Sequence, residues 1–229
     1  MLFVILIFFM ILSWLTGNQL KKRFKEYSLI PTTSGLSGKE IAEKMLRDNN
    51  IFDVSVISVE GQLTDHYNPA KKTVNLSEAV YHGRNVAAAA VAAHECGHAV
   101  QHAQAYSFLQ FRSAMVPVVN VSSKIMNAIF LLSIFGTFAL NLFSFDTVIW
   151  VLILSQGAIT AFSLITLPVE FDASNRALVW LESSRITNGQ EHEKAKTALK
   201  WAASTYLIAA LAAVSTLLYY VSMLAGRND

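Results

Sequence analysis

The run His94-Glu95-Cys96-Gly97-His98 has the residue types and spacing of a catalytic metal site. On a helix, residues four apart stack on one face, so His94 and His98 can each offer an imidazole nitrogen to one Zn²⁺ at about 2.0–2.1 Å. Glu95 then stands within reach of a water on that metal, ready to accept its proton and pass it to a leaving amine. That is the chemistry of peptide-bond hydrolysis. Only three positions are fixed, yet a chance match in a chain of this length is on the order of one in a hundred. A closed structural zinc site fits poorly, because such sites use four protein ligands with several cysteines and Cys96 is the only cysteine. Turned about 100° per residue from its neighbours, Cys96 falls off the histidine face and reads as a packing residue. Gly97 reads as room for the close approach of another backbone.

A catalytic zinc needs a third protein ligand and an open fourth position. The metzincin extension is absent, since its glycine and histidine positions hold Gln101 and Gln104. His102 lies one turn beyond His98 on the same face, but ligands in a straight i, i+4, i+8 line converge poorly on one point. Its alternative role is to hydrogen-bond a ligand or line the cleft. Glu170, in Leu167-Pro168-Val169-Glu170-Phe171-Asp172-Ala173-Ser174, is the preferred third ligand, with Pro168 expected in the first turn of a new helix. Asp172 is the other candidate in that run, and the non-ligand reading of Glu170 is a carboxylate favoured at a helix start. In Asp65-His66-Tyr67-Asn68-Pro69, His66 is a candidate catalytic residue that donates to the oxyanion, with Tyr67 beside it, although Asn68-Pro69 is also a turn signal. His82 is weighed in the same way.

These side chains need elements to hold them. Residues 85–106 are alanine-rich with Gly97 as the sole breaker, which predicts a helix of about 20 residues carrying the histidines. Ser37 with Glu40 three residues on forms a capping box opening a helix to Asp48, with Ile41, Met45 and Leu46 on one face. Residues 54–60 and 72–77 alternate and are rich in β-branched types, predicting two short strands in a small sheet; the second could be an exposed edge that receives an extended peptide.

Composition sets the wider frame. Of 229 residues, 53% are hydrophobic and only 15% charged, and the mean hydropathy is +0.41, too apolar for one water-soluble core of this size. Residues 1–16, 125–145, 147–167 and 204–225 approach or reach the roughly 20 apolar residues that span a bilayer. The first lacks a basic n-region and a small-x-small cleavage site, so it reads as a retained anchor. The expected order is therefore an anchor (1–16), a zincin-like domain (17–124), a transmembrane hairpin turning at Ser144-Phe145-Asp146-Thr147 (125–167), a helical segment bearing the third ligand (168–203) and a last span (204–225). The fold class expected is a mainly α membrane protein with about four transmembrane helices and a zincin-like α+β cytoplasmic domain carrying a small β-sheet. Of the 18 Lys and Arg, twelve fall in 17–124 and five in 169–203, with Lys21, Lys22, Arg23 and Lys25 directly after the first span. Positive residues near spans stay in the cytoplasm, so both polar stretches are expected there, on one side of a cell membrane crossed several times. The net charge of +2 without a long basic run argues against nucleic acid, and a lone cysteine requires no oxidising compartment.

The chain resembles the YugP-type membrane neutral zinc metallopeptidases over nearly its whole length. The resemblance rests on Tyr27-Ser28, Gly35-Leu36-Ser37-Gly38, Leu63-Thr64-Asp65-His66-Tyr67-Asn68-Pro69, Leu76-Ser77, Val80-Tyr81, Val91 through Gln101 and Leu167 through Ser174. It implies a bacterial integral membrane peptidase with a gluzincin-like site, in which His94, His98 and Glu170 bind one zinc per chain and Glu95 catalyses. More distantly the chain looks like the HtpX heat-shock proteases and CAAX prenyl proteases, whose third glutamate is followed four residues later by an aspartate that orients a ligand histidine. Ser174 occupies that place here, and Asp172, Ser174 and Asn175 are the candidates for the role. Expected partners are a peptide or protein substrate associated with the membrane, and the lipid bilayer itself. Two other readings compete. One is a site-2-type intramembrane protease, opposed by the 15-residue alanine-rich run interrupted by Glu95 and two histidines. The other is a non-catalytic membrane adaptor, opposed by an intact motif that includes a general base.

Overall fold

The apolar stretches become long helices. The structure is a computed structural model and describes residues 1–135 and 144–226, without side chains at 133–135. Its helices are α1 (Leu2–Tyr27), α2 (Gly38–Asp48), α3 (Glu78–Tyr81), α4 (Val86–Ala103), α5 (Ser107–Phe135), α6 (Phe145–Ser183) and α7 (Gln190–Ala225); its strands are β1 (Ser55–Val59), β2 (His66–Asn68) and β3 (Thr73–Ser77). Four of these helices, α1, α5, α6 and α7, are long and apolar enough to cross a membrane. In α1 and α5 only 6% of the most apolar window is buried, and side chains such as Phe3, Phe8 and Trp14 point outward, a surface suited to lipid.

The long helices differ from the sequence reading at two points. The second apolar helix opens at Ser107, well before residue 125, and runs through Arg112, Pro117 and Lys124. Long basic side chains can carry their charge to the interface from such a helix. Residues 136–143 of the expected 125–145 span lie outside the described residues. Pro168 does not start a new helix: α6 runs unbroken through it. A proline mid-helix forfeits one backbone hydrogen bond, which is tolerated where neighbouring groups satisfy the freed carbonyl.

The chain divides into two compact units. One comprises Met1–Ser13, Phe111–Leu167 and Tyr206–Asp229. Within it α6 and α7 are joined by Gln156 Nε2 and Thr160 Oγ1, both donating to the Ala213 carbonyl at 3.1 Å. Such polar links between buried helix faces contribute about 0.6 kcal/mol each in apolar surroundings.

The other unit comprises Trp14–Gln110 and Pro168–Thr205. Its sheet has the order β1-β3-β2, with β1 parallel and β2 antiparallel to β3. β3 is therefore central, with both edges paired, and it cannot receive a peptide as the alternation alone suggested. β2 escapes sequence reading because it has three residues and runs into Asn68-Pro69; Asn68 does serve the turn, accepting from Lys71 N at 3.0 Å. Buried Asn75 and half-buried Asp65 hold β2 in place. Asn75 Nδ2 donates to His66 O at 3.1 Å, and the Asp65 carboxylate accepts from Ser77 N at 2.7 Å and Ser77 Oγ at 3.0 Å. Burial pushes the Asp65 carboxyl above its usual value, against the pull of those Ser77 bonds.

α2 forms with the expected capping box: Glu40 N donates to Ser37 Oγ, and Ser37 N to Glu40 Oε2. α4 starts at an Asn85 cap, whose Oδ1 accepts from Ala88 N at 2.9 Å. Ala87, Ala88, Ala89, Ala90, Ala92 and Ala93 are all essentially inaccessible, so α4 is a buried core helix. It is not among the four candidate spans. Its small residues let α2, α6 and the sheet approach closely around it.

Candidate metal centre

The centre is assembled from α4 and α6. Gly97 makes the approach possible. A Cβ there would lie 2.6 Å from Ala173 O and 3.1 Å from Ala173 Cα, so α6 packs its backbone directly onto α4. Farther along α6, Trp180 Nε1 donates to Asp48 Oδ2 at 3.0 Å, which ties it to α2.

This packing brings three side chains together. The ligand atoms of His94, His98 and Glu170 all lie within 4.8 Å of one another. His94 Nε2 is 3.3 Å and His98 Nε2 3.6 Å from the same oxygen, Glu170 Oε2. Tetrahedral ligands at about 2.0–2.1 Å from a metal stand roughly 3.3 Å apart, so the two spacings to Glu170 suit a zinc ion. Glu170 is 2% exposed. At His98 burial works against charge, but the Glu170 and Glu95 carboxylates and the Gln101 amide outweigh it and raise the imidazole pKa. A field that favours a proton there also favours a divalent cation.

The outer nitrogens of the two histidines are held as well. His94 Nδ1 is 3.1 Å from Ser174 Oγ. His98 Nδ1 is 3.0 Å from Gln101 Oε1, while Gln101 Nε2 donates to Val169 O and Asp172 Oδ2, each at 2.8 Å. Both partners of Nε2 are pure acceptors, so the amide can face only one way, and Oε1 must accept from His98. The neutral His98 ring therefore carries its hydrogen on Nδ1 and presents a lone pair at Nε2, the form that binds a metal. Asp172 is engaged by Gln101 and Arg176 rather than by the cluster. Of the three candidates for orienting a histidine, Ser174 contacts His94 and Asp172 acts through Gln101.

Gln101 was missed as an orienting residue. Neither the metzincin comparison nor the family resemblance assigns it this role; its i+3 spacing from His98 is the signal the sequence carries.

Glu95 sits beside the cluster, 8% exposed, its Oε2 accepting from Tyr67 N at 2.9 Å. In an antiparallel pair a residue either exchanges both backbone bonds with its partner or points both outward. Tyr67 does the latter, so the free edge of β2 faces Glu95. His66 is exposed, with Nδ1 2.8 Å from Thr64 O, and is not drawn into the three-residue cluster. His102 is likewise outside it, its Nδ1 2.8 Å from Tyr67 Oη. Cys96 is fully buried with Sγ 3.5 Å from Ala42 O, and burial pushes its thiol far up, consistent with packing.

No solved structure matches the chain. A protein of Bacillus subtilis (strain 168), named "Putative membrane protease YugP", is 39% identical over 220 residues, covering 95% of this chain and 94% of that protein. The model of the family described as "Putative neutral zinc metallopeptidase" matches residues 2–225, and with that coverage the chain belongs to this family.

Proposed function

We propose that this protein is a membrane-bound zinc endopeptidase in which His94, His98 and Glu170 hold one Zn²⁺ per chain and Glu95 is the general base. The observation carrying this reading is the convergence of two imidazole nitrogens and one carboxylate oxygen from separate helices, next to a glutamate at the edge of a sheet. Zinc in such a donor set supplies Lewis-acid polarisation of a carbonyl and brings the pKa of a water down toward about 7. The chain's own residues do the rest. Glu95 is placed to accept a proton from the attacking water and to return it to the leaving amine. Extended substrate lies along the outer edge of β2, where the Tyr67 N–H and C=O are available to a peptide backbone once Glu95 yields the N–H. His66 stabilises the oxyanion; since its Nδ1 hydrogen is given to Thr64 O, only its imidazolium form has an Nε2–H to offer.

The basic cluster after the first apolar stretch puts this chemistry on the cytoplasmic face of a bacterial cell membrane. Turnover of membrane proteins is the proposed task. Elemental analysis of purified protein tests the centre. Wild type and Glu95→Gln should hold about one zinc per chain, and Glu170→Ala should hold little. Full zinc in Glu170→Ala would move the third ligand elsewhere, and wild-type cleavage by Glu95→Gln would remove the base. Accumulation of soluble proteins alone in cells carrying Glu95→Gln would refute the membrane-protein task.

A further inference from the structure

Against Tyr67, whose N–H meets Glu95 Oε2, lies a cavity of about 260 Å³ whose apolar wall is Ile51, Val54, Ala99 and Ala103. We propose that this cavity is the side-chain subsite that sets cleavage preference, and that it takes one bulky apolar side chain of a peptide lying along β2. The inference rests on the peptidase reading above and gives it a substrate class.

Position is the first argument. Ala99 directly follows His98, and Tyr67 belongs both to the cavity wall and to the base, its N–H on Glu95 Oε2 and its hydroxyl on His102 Nδ1. A side chain entering here would therefore come from a residue close to the bond being cut. Size is the second. Cavities that take whole small molecules run from about 300 to 1,000 Å³, so this one suits a single side chain such as leucine, methionine or phenylalanine.

Chemistry is the third. The polar groups of the cavity already satisfy one another: Tyr67 Oη with His102 Nδ1, and Lys72 Nζ donating to Asp53 Oδ2. Asp53 is held below the usual carboxylate range chiefly by that lysine. An entering charge would meet no unpaired counter-charge and would lose water against Ile51, Val54 and Ala99, whereas an apolar group rests on that wall without breaking either pair.

The test uses full-length, zinc-loaded protein in detergent and a mixture of proteome-derived peptides, with cleavage sites read by mass spectrometry and Glu95→Gln as the blank. Wild type should favour Leu, Met and Phe over Gly and Ala by about tenfold or more at one position beside the cut. Ala103→Phe fills the cavity from an exposed position at the end of α4 and should reverse that preference toward Gly and Ala. Val54→Ala enlarges it and should raise cleavage at Trp and Tyr, a gain that misfolding cannot produce. Zinc content per chain is measured for both variants. A wild-type preference that neither variant shifts, with zinc intact, would overturn the subsite while leaving the peptidase reading standing. If wild type cleaves no peptide beyond the blank, the peptidase reading falls and the subsite with it.

Discussion

Replacing Gln101 by leucine tests how α4 and α6 are coupled at the candidate metal centre. The side chain is inaccessible to solvent and makes three hydrogen bonds: one from His98 Nδ1 at 3.0 Å, and two to Val169 O and Asp172 Oδ2 at 2.8 Å. Leucine has similar bulk but none of the polar atoms, so His98 loses what fixes its tautomer and ring angle, and α6 loses a tie one residue before Glu170. Removing a partner of this kind typically lowers metal affinity 10- to 100-fold, which corresponds to about 1.4–2.7 kcal/mol. The buried Val169 carbonyl, left without this donor, adds a folding cost of about 1–3 kcal/mol. Zinc affinity is read by chelator competition on full-length protein, and the absorption spectrum of the Co²⁺-substituted form reports ligand geometry. Gln104→Leu is the control, because its carbonyl oxygen meets Arg176 outside the cluster. Gln101→Glu should not rescue, since a carboxylate would face the Val169 carbonyl and the Asp172 anion. Zinc affinity within twofold of wild type in Gln101→Leu, with an unchanged cobalt spectrum, would refute the reasoning.

Gly97→Ala gains about 1 kcal/mol of helix propensity but drives a Cβ into Ala173 backbone, so a net loss of about 1–3 kcal/mol is expected in denaturant melts, with weaker zinc binding; unchanged values for both would show that α6 can give way. His66→Ala should lower kcat by about 10²–10³-fold with zinc retained, and a kcat within twofold of wild type would remove His66 from catalysis. Ser37→Ala should cost about 1 kcal/mol through loss of the α2 cap, measured by chemical denaturation. Its partner Glu40 is held below its ordinary value of 4.5, chiefly by the Ser37 N–H. That contribution is present above pH 4.5 and is lost as pH falls through the lower folded value, so Glu40→Gln should flatten stability below pH 4.5; a profile identical to wild type would contradict this.

Much was legible from local pattern. The capping box, the alanine-rich helix and the i, i+4 histidines each depend on a few neighbouring residues, and each formed with nearly the expected bounds. α5 opens earlier than the apolar stretch from residue 125, because a helix continues past Arg112 and Lys124 when their long side chains can carry the charge away from it. β2 could not be read, since three residues hold no period; it exists because Asn75 and Asp65 pin it to β3.

The sequence by itself determined the two histidines, the adjacent glutamate, the apolar stretches and the glycine that leaves room on α4, because helical spacing and hydropathy are local properties. Only the tertiary structure decided that Glu170 shares a point with them, that Gln101 sets the ring of His98, and that the free sheet edge facing Glu95 belongs to β2 rather than β3. Those relations join residues far apart in the chain, and they arise from which helix packs on Gly97 and which strand lies in the middle.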